Sequence, residues 1–278
     1  RIFSLWRVGV DLCFGFAFDG GTKTSPAHLV DLANGEVHAT VGRMNPQIRF
    51  GEDLMSRVSY VMMNPTGAQE LTEAVRNALD EMVEELAHAA PVERDRVLDV
   101  SVVANPIMHH LLLGIDPRPL GQAPFPLATS DALTLRASQI GLRNLAAQVY
   151  VGPCIAGHVG ADTAGAILAE GPHRSDEPVL LIDVGTNAEI VVGSRLDGLW
   201  AASSPTGPAF EGAQLSAGQR ATTGAIERVR IDRSTLEPRF KVIGSERWSD
   251  EEGFADEMPG SSITGVCGSG IIQVIAEL

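Results

Sequence analysis

The sequence predicts an α/β protein built from two similar halves, each with a mixed β-sheet. A hairpin with a D-x-G-T turn occurs twice, as FDGGTKT at Phe18–Thr24 and as IDVGTN at Ile182–Asn187. Each copy lies within three successive strand patterns, and helical patterns alternate with further strands. One D-x-G-T is weak, because Asp, Gly and Thr are common turn residues. Two copies half a chain apart favour a duplication; two unrelated turns are the alternative.

The first half begins with three strands and continues with helices that alternate with strands. Its long helix, Ala68–Ala89, carries one apolar stripe, formed by Leu71, Val75, Leu79, Met82 and Leu86. Thr66 and Gln69 predict a capping box at its start, and Pro91 predicts its end. The other predicted elements are strands at Phe14–Phe18, Ala27–Leu32, Glu36 to about Arg43, Val100–Ala104 and Gln148–Val151, and helices at Pro106–Leu113 and about Gly157–Glu170.

The second half repeats the start of the first. Its predicted strands are Val179–Val184, Ala188–Ser194, Leu199–Ser203, one near Arg228–Ile231 and one at Phe240–Ile243, and TGVCGSG at Thr264–Gly270 opens a last helix. The segment GPHRSDEP, residues 171–178, predicts a linker. We therefore expect a first subdomain at 16–172 and an incomplete second subdomain at 173–278. Residues 1–15 would be the tail of a preceding region, so that the sequence is part of a longer chain.

Composition narrows the class of partner. The 278 residues carry a net charge of −14 and no face rich in Lys and Arg, which argues against nucleic acid and anionic membranes. No apolar run reaches the roughly 18 residues that a membrane helix needs. The three cysteines, Cys13, Cys154 and Cys267, are far apart and form neither a disulfide framework nor a metal ligand set. We expect a cytoplasmic location.

The two D-x-G-T turns predict a phosphate site. Tight Gly turns expose backbone N–H groups and Thr adds a hydroxyl donor, so two such turns facing each other across a cleft between the subdomains could hold the β- and γ-phosphates of one nucleotide. Asp19 and Asp183 suit this site only if Mg²⁺ lies between carboxylate and phosphates, through water. We predict both as metal-holding, catalytic residues that also order an attacking water. The predicted binding residues in the turns are Gly21, Thr22, Lys23, Thr24, Gly185, Thr186 and Asn187.

Two Gly-rich segments extend the predicted site. Gly265, Gly268 and Gly270, with Ser269, open the last helix and would let the backbone approach a base or ribose closely. Close packing alone is the alternative. The long loop that follows the second set of strands contributes Gly207 to the predicted binding residues.

Other conspicuous residues have structural interpretations. His109 and His110 are adjacent on a helix, point about 100° apart and cannot chelate one metal together. Cys267 has no base nearby in the sequence and is expected to pack. For Glu211 a cleft or partner role stays open, and for Asp162 capping, cleft lining and catalysis stay open. A solvated surface is expected for the acidic helix face of Glu73, Asp80, Glu81, Glu84 and Glu85.

Several long strings give a more specific interpretation. They are FDGGTKT, LVDLANGEV, MNPQIRFGEDLMSRVSY, MHHLLLGIDPRPLG, IAGHVGADTAGAIL, LIDVGTNAEIVVG, GPAFEGAQLSAGQRATTGAIE and TGVCGSG. The two turns with the late Gly-rich segment resemble the superfamily of acetate and sugar kinases, heat-shock chaperones and actin. Within it, the strings resemble the reductive activators of corrinoid proteins, from about Phe16 to Leu278.

The resemblance implies a duplicated ribonuclease H-like fold with a nucleotide cleft between its two mixed-sheet subdomains. It implies ATP and Mg²⁺ as cofactors and an ATP-dependent electron transfer that returns Co(II) corrinoid to Co(I). The partner would be a corrinoid protein or a corrinoid-dependent methyltransferase, and a homodimer stays open. Such activators carry a [2Fe–2S] ferredoxin domain at the N-terminus, which this sequence lacks.

Three departures from the family pattern affect the first turn. Lys23 stands where Thr is usual, Gly20 where an apolar residue is common, and Ala104-Asn105-Pro106 where Gly-Asn-Thr is usual. They put fast hydrolysis and a hydroxyl role near residue 106 in doubt. A small-molecule kinase on the same scaffold is the alternative function, and a non-catalytic actin-like assembly module is a third.

Overall fold

The computed structural model describes residues 13–143, 146–206, 215–257 and 263–278. The chain divides into two compact units. Unit 1 comprises Arg1–Leu181 and Ile190–Ala202, and unit 2 comprises Ile182–Glu189 and Ser203–Leu278. The two predicted turns therefore belong to different units.

The described residues form strands and helices close to those predicted. The strands are β1 (Phe14–Gly20), β2 (Thr24–Asp31), β3 (Val37–Met44), β4 (Val97–Ala104), β5 (Leu133–Arg136), β6 (Gln148–Val151), β7 (Val179–Val184), β8 (Asn187–Ser194), β9 (Gly198–Pro205), β10 (Ala225–Ile231), β11 (Pro238–Val242) and β12 (Gly265–Val266). The helices are α1 (Leu54–Met63), α2 (Gly67–Ala89), α3 (Pro106–Leu113), α4 (Ala161–Glu170), α5 (Phe254–Glu257) and α6 (Gly268–Glu277). Among them, no helix is long and apolar enough to cross a membrane.

A six-stranded mixed sheet, in the order β3-β2-β1-β4-β6-β5, forms the centre of unit 1. β1 pairs antiparallel with β2 and parallel with β4, and β4 pairs parallel with β6. The register places Asp19 opposite Val103 and Gly20 opposite Ala104. The end of β1, which carries the first turn, therefore lies beside the point where β4 leads into α3.

Helix α2 covers this sheet with the predicted apolar stripe. All five stripe residues are at most 2% exposed, which confirms the helical period. The predicted capping box is wrong. Thr66 is itself helical in backbone conformation and makes no side-chain cap; its hydroxyl donates to Glu70, and Gln69 donates to Glu73.

Two helices differ from the prediction. Helix α1 was not predicted, and it begins at a capping box between Asp53 and Ser56. Helix α4 begins at Ala161 rather than near Gly157, because the preceding backbone forms a tight turn. In this turn, Ile155 N and Ala156 N both donate to Val159 O. The same stretch packs closely against other backbone. A Cβ at Gly157 would lie 2.0 Å from the carbonyl oxygen of Phe125, and one at Gly160 would lie 2.6 Å from that of Ala104.

The acidic face of α2 is only partly solvated. Asp80 is 4% exposed and accepts hydrogen bonds from the guanidinium groups of Arg94 and Arg143, so its assignment to a solvated surface is wrong. The reason is its place beside the buried Leu79 and Met82, where a carboxylate needs cationic partners. Other acidic residues on the helix lie at the surface: Glu81 and Glu85 pair with Arg43, and Glu84 pairs with Arg94.

Two three-stranded sheets lie beyond the linker. One has the order β7-β8-β9 and carries the second turn between β7 and β8. The other has the order β11-β10-β12, with β10 antiparallel to β11 and parallel to β12. Helix α6 packs beside β10, where the side chain of Gln273 accepts a hydrogen bond of 2.7 Å from the amide of Val229.

Candidate functional site

The first D-x-G-T turn connects β1 to β2. Asp19 lies half-buried near the end of β1, Gly21, Thr22 and Lys23 form the turn, and Thr24 is exposed at the start of β2. The turn is tight, because a Cβ on Gly21 would lie 2.2 Å from the carbonyl oxygen of Thr24. The structure thus brings the five predicted residues of this turn into one hairpin.

Asn45 and Arg57 together hold the carbonyl groups of all three turn residues. The side-chain amide of Asn45 donates to Gly21 O at 2.9 Å, and its backbone amide donates to Lys23 O at 2.8 Å. The guanidinium of Arg57 donates to Thr22 O at 2.5 Å. In a planar trans peptide, the N–H of the next residue points opposite to the carbonyl. The turn therefore directs its N–H groups away from Asn45 and Arg57, as a receptor for an anion requires.

The hydroxyl of Thr22 is arranged as a hydrogen-bond donor. The side-chain amide of Asn105 donates to Thr22 Oγ1 at 2.8 Å, and the carbonyl oxygen of the same amide accepts from Met108 N at 3.1 Å as the N-cap of α3. Since Thr22 Oγ1 accepts this bond, its own proton remains to be donated. Asn105, which sequence analysis treated only as part of a departure, thus positions a predicted binding residue.

The three departures have structural explanations. Lys23 pairs with Glu52 at 3.5 Å. β1 continues through Gly20, which lies directly opposite Ala104, and a Cβ on Gly20 would lie 3.0 Å from that of Ala104. The residue without a side chain thus makes room for the added methyl group. Pro106 is the first residue of α3, a position that tolerates proline.

The second turn is held differently. Asp183 lies exposed in β7, and Gly185 N donates to Asn187 O at 2.7 Å. The hydroxyl oxygen of Thr206 lies 2.7 Å from Gly185 O and 2.9 Å from Thr186 O. The hydroxyl of Thr206, which can donate to either carbonyl, therefore holds this turn in place of the amide and guanidinium groups that hold the first turn. Asp183 and its turn lie in unit 2 and Asp19 in unit 1, so their joint action on one nucleotide stays a prediction.

The Gly-rich segment at the start of α6 is packed against β10 and the preceding loop. A Cβ on Gly265 would lie 2.7 Å from Ala217 O, and one on Gly270 would lie 2.5 Å from Ile226 O. These contacts explain both glycines by close packing, and nucleotide contact at Gly265, Gly268, Ser269 and Gly270 stays a prediction. Cys267 is 1% exposed, with its sulfur 3.3 Å from Ile226 O, which confirms its packing role.

The remaining candidates fall into two groups. Gly207 and Glu211 lie outside the described residues. His109 and His110 are both buried on α3: His110 lies between Pro106 O and Ala128 N, and neither ring nitrogen of His109 has a hydrogen-bond partner in the described residues. Asp162, in the first turn of α4, accepts from Thr163 N. Within the described ranges, no three His, Cys, Asp or Glu side chains cluster as a metal site.

Comparison with known proteins identifies the family. The family model described as the RACo middle region matches residues 14–175, and the C-terminal domain of RACo, the ASKHA domain, matches residues 177–278. The chain belongs to the RACo family. The two family models meet between residues 175 and 177, within the segment 171–178.

Two curated relatives and one solved structure support this membership. The chain is 35% identical over 266 residues to the corrinoid activation enzyme RamQ of Eubacterium limosum, which covers 95% of this chain and 42% of RamQ. It is 27% identical over 282 residues to the [Co(II) methylated amine-specific corrinoid protein] reductase of Methanosarcina barkeri, covering 95% of this chain and 50% of that protein. A solved reductive activator for corrinoid, iron–sulfur protein matches with a TM-score of 0.81 and 36% identity, covering 97% of this chain and 41% of that chain.

These matches confirm the ASKHA fold and the resemblance to corrinoid activators. The chain spans half or less of the length of each of these three proteins. The sequence motifs of the RACo family nevertheless gave no indication of the residues that hold the first turn. Asn45, Gln47 and Arg57 all lie in the string MNPQIRFGEDLMSRVSY, which signalled the family without revealing a role.

Proposed function

We propose that this chain is the ATP-binding, energy-coupling part of a reductive activator that returns the Co(II) corrinoid of a partner protein to Co(I). The match that carries the proposal is the solved reductive activator, which covers 97% of this chain at 36% identity. The partner would be a corrinoid protein or a corrinoid-dependent methyltransferase. The electron would come from a [2Fe–2S] cluster in a separate domain.

The first turn supports binding of a nucleotide. Asn45 and Arg57 hold its carbonyls, its N–H groups point away from these carbonyls, and the Thr22 hydroxyl keeps a proton to donate. Phosphate oxygens are acceptors that fit this set. Mg²⁺, when bound, would neutralise phosphate charge, and Asp19 and Asp183 are the carboxylates that would hold it through water. ATP can drive the cycle only through a difference in its affinity for two states of the protein.

A binding titration tests the nucleotide part of the proposal. The chain is titrated by calorimetry with Mg-ATP and Mg-ADP, as wild type and as Asp19→Ala, Asp183→Ala and the exposed control Asp95→Ala. We expect saturable binding that both site variants weaken at least tenfold and the control leaves unchanged. A loss in only one site variant would contradict a site made by both turns.

Reduction of cobalt tests the whole proposal. The full-length activator is mixed with its corrinoid protein and a reductant, and Co(I) formation is followed by absorbance with and without Mg-ATP. We expect Co(I) only with nucleotide and only with intact Asp19 and Asp183. Equal reduction without nucleotide would overturn the proposal, and phosphorylation of an added small-molecule acceptor would favour the kinase alternative.

A further inference from the structure

Arg57 is a fully buried cation directly behind the first turn. It lies in α1 with 0% of its surface exposed. Its guanidinium donates to Gly51 O at 3.0 Å, to Gln47 Oε1 at 3.0 Å and to Thr22 O at 2.5 Å, and it lies 3.0 Å from the sulfur of Met108. Each of these acceptors is neutral. The hydrogen bonds of this guanidinium thus go to neutral groups rather than to a carboxylate.

No carboxylate in the described part of the chain makes an ion pair with this guanidinium. Burial lowers the pKa of Arg57 to about 10, and the charge of Asp53 opposes that effect. Arg57 therefore remains protonated at neutral pH. A buried charge without a directly paired carboxylate is costly, and a nearby phosphoryl anion would offset part of that cost.

The remaining contacts keep this cation in place. Gln47, which is 0% exposed, accepts from Arg57 and donates to Leu71 O at 2.7 Å, which ties the guanidinium to helix α2. Met108 Sδ lies 3.2 Å from the side-chain amide of Asn45 and 3.0 Å from Arg57. We call Asn45, Gln47, Arg57 and Met108 the turn brace.

We propose that Arg57 is the positioning residue that makes the first turn a receptor for phosphoryl anions. It fixes the Thr22 carbonyl inward, so that the turn amides face the ligand, and it supplies positive potential from behind the turn. This inference rests on the proposed function for its ligand, a nucleoside triphosphate. It adds that recognition of the phosphates, rather than of the nucleoside, depends on a residue that touches neither.

Titrations with ligands of different charge test the inference. Wild type, Arg57→Met and Arg57→Lys are titrated with Mg-ATP, inorganic tripolyphosphate and adenosine, and thermal unfolding is measured for each. The matched control is Arg76→Met, because Arg76 is partly buried and donates to a backbone carbonyl, Leu112 O, that does not belong to the first turn. Arg57→Lys keeps the charge without the planar fork and serves if Arg57→Met does not fold.

We expect Arg57→Met to weaken the binding of Mg-ATP and of tripolyphosphate at least tenfold, with a shallower salt dependence, and to leave the binding of adenosine unchanged. The control Arg76→Met should bind all three ligands as wild type does. Arg57→Lys should lose less than Arg57→Met. If Arg57→Met lost equal affinity for adenosine and for ATP, or lost no affinity for either anion, the inference would be overturned while the proposed function stands. Arg57-dependent tripolyphosphate binding without ATP binding would overturn the proposed function alone, and no anion binding by wild type would overturn both.

Discussion

The side-chain amide of Asn105 donates a 2.8 Å hydrogen bond to the hydroxyl of Thr22, across 83 residues of sequence. The other end of the same amide caps α3. One side chain therefore couples the start of a helix to the direction in which a turn hydroxyl can donate. A replacement that can still cap α3 but cannot donate to the Thr22 hydroxyl would separate these two roles.

Asn105→Asp should weaken Mg-ATP binding while preserving the fold. Asp caps helices as well as Asn does, so we expect the free energy of unfolding to change by less than about 1 kcal/mol. The carboxylate can only accept, so the Thr22 hydroxyl would donate its hydrogen bond to this new carboxylate instead of to a phosphate, and the substitution would place negative charge near the phosphates. We expect at least a tenfold loss by calorimetry, and little further loss when Thr22→Val is added. Full additivity of the two changes would show that Asn105 does not act through Thr22.

Gly20 and Ala104 should be energetically coupled. A Cβ on Gly20 would lie 3.0 Å from the Ala104 Cβ, so we expect Gly20→Ala to destabilise the chain by about 1–2 kcal/mol through overpacking. Ala104→Gly opens the space and should restore about 0.5–1 kcal/mol of that loss in the double variant. Denaturant unfolding of the four proteins measures the cycle. A coupling energy near zero would mean that the backbone, rather than the neighbour, absorbs the added methyl group.

Two acidic residues on α2 both pair with Arg94 but should differ sharply in their contribution to the free energy of unfolding. Asp80 is buried and also binds Arg143, so Asp80→Asn should cost roughly 3 kcal/mol, as expected when one partner of a buried ion pair is removed. Glu84 is exposed, so Glu84→Gln should cost less than about 1 kcal/mol. Chemical denaturation compares them. Similar losses would indicate that Arg94 is held mainly by the surface pair.

His109 should make the fold sensitive to acid. Burial and, to a smaller extent, the neighbouring His110 lower the pKa of His109 to about 4, although the backbone of Gly152 partly opposes them. In the unfolded chain the imidazole takes a proton near its ordinary value of 6.5, whereas the folded chain resists protonation until about pH 4. Stability is therefore unaffected above pH 6.5 and falls as pH drops from 6.5 to 4, by up to about 3 kcal/mol from this group.

The measurement is the free energy of unfolding at several pH values. His109→Leu should flatten the loss between pH 6.5 and 4, because leucine carries no group that titrates in this range, although the variant also gives up the contact with the backbone of Gly152. His88→Gln, at an exposed position of α2, is the control. His110, whose pKa burial also lowers, keeps its own contribution in both variants. If the free energy of unfolding of His109→Leu fell with the same slope between pH 6.5 and 4, other groups would be responsible for the acid sensitivity.

Local patterns in the sequence predicted local structure well and long-range polar contacts poorly. Helix α3 was predicted to the residue, because Pro106 fits a helix start and Gly114 ends the helix in a left-handed conformation. The period of α2 identified its buried face but not the burial of Asp80, whose partners lie outside that helix. The Gly20–Ala104 contact was invisible because it depends on the register of two strands.

The role of Arg57 could not have been derived from its own segment. An Arg within the short apolar pattern LMSRVSYVMM reads as the polar side of a helix. Its burial depends on acceptors at Gly51, at Thr22 in a hairpin and at Met108 on α3. The family strings contained these residues, but only the folded chain brings them together.

The turn brace implies a constraint on how this segment can change over time. Asn45 and Arg57 each contact both the turn and Met108, so replacing one leaves a buried polar group of another without its partner. Single replacements should therefore be disfavoured, and tolerated changes should arrive in compensating groups. The four residues of the turn brace would then be kept together or replaced together, and divergent homologues should show correlated substitutions at these four positions.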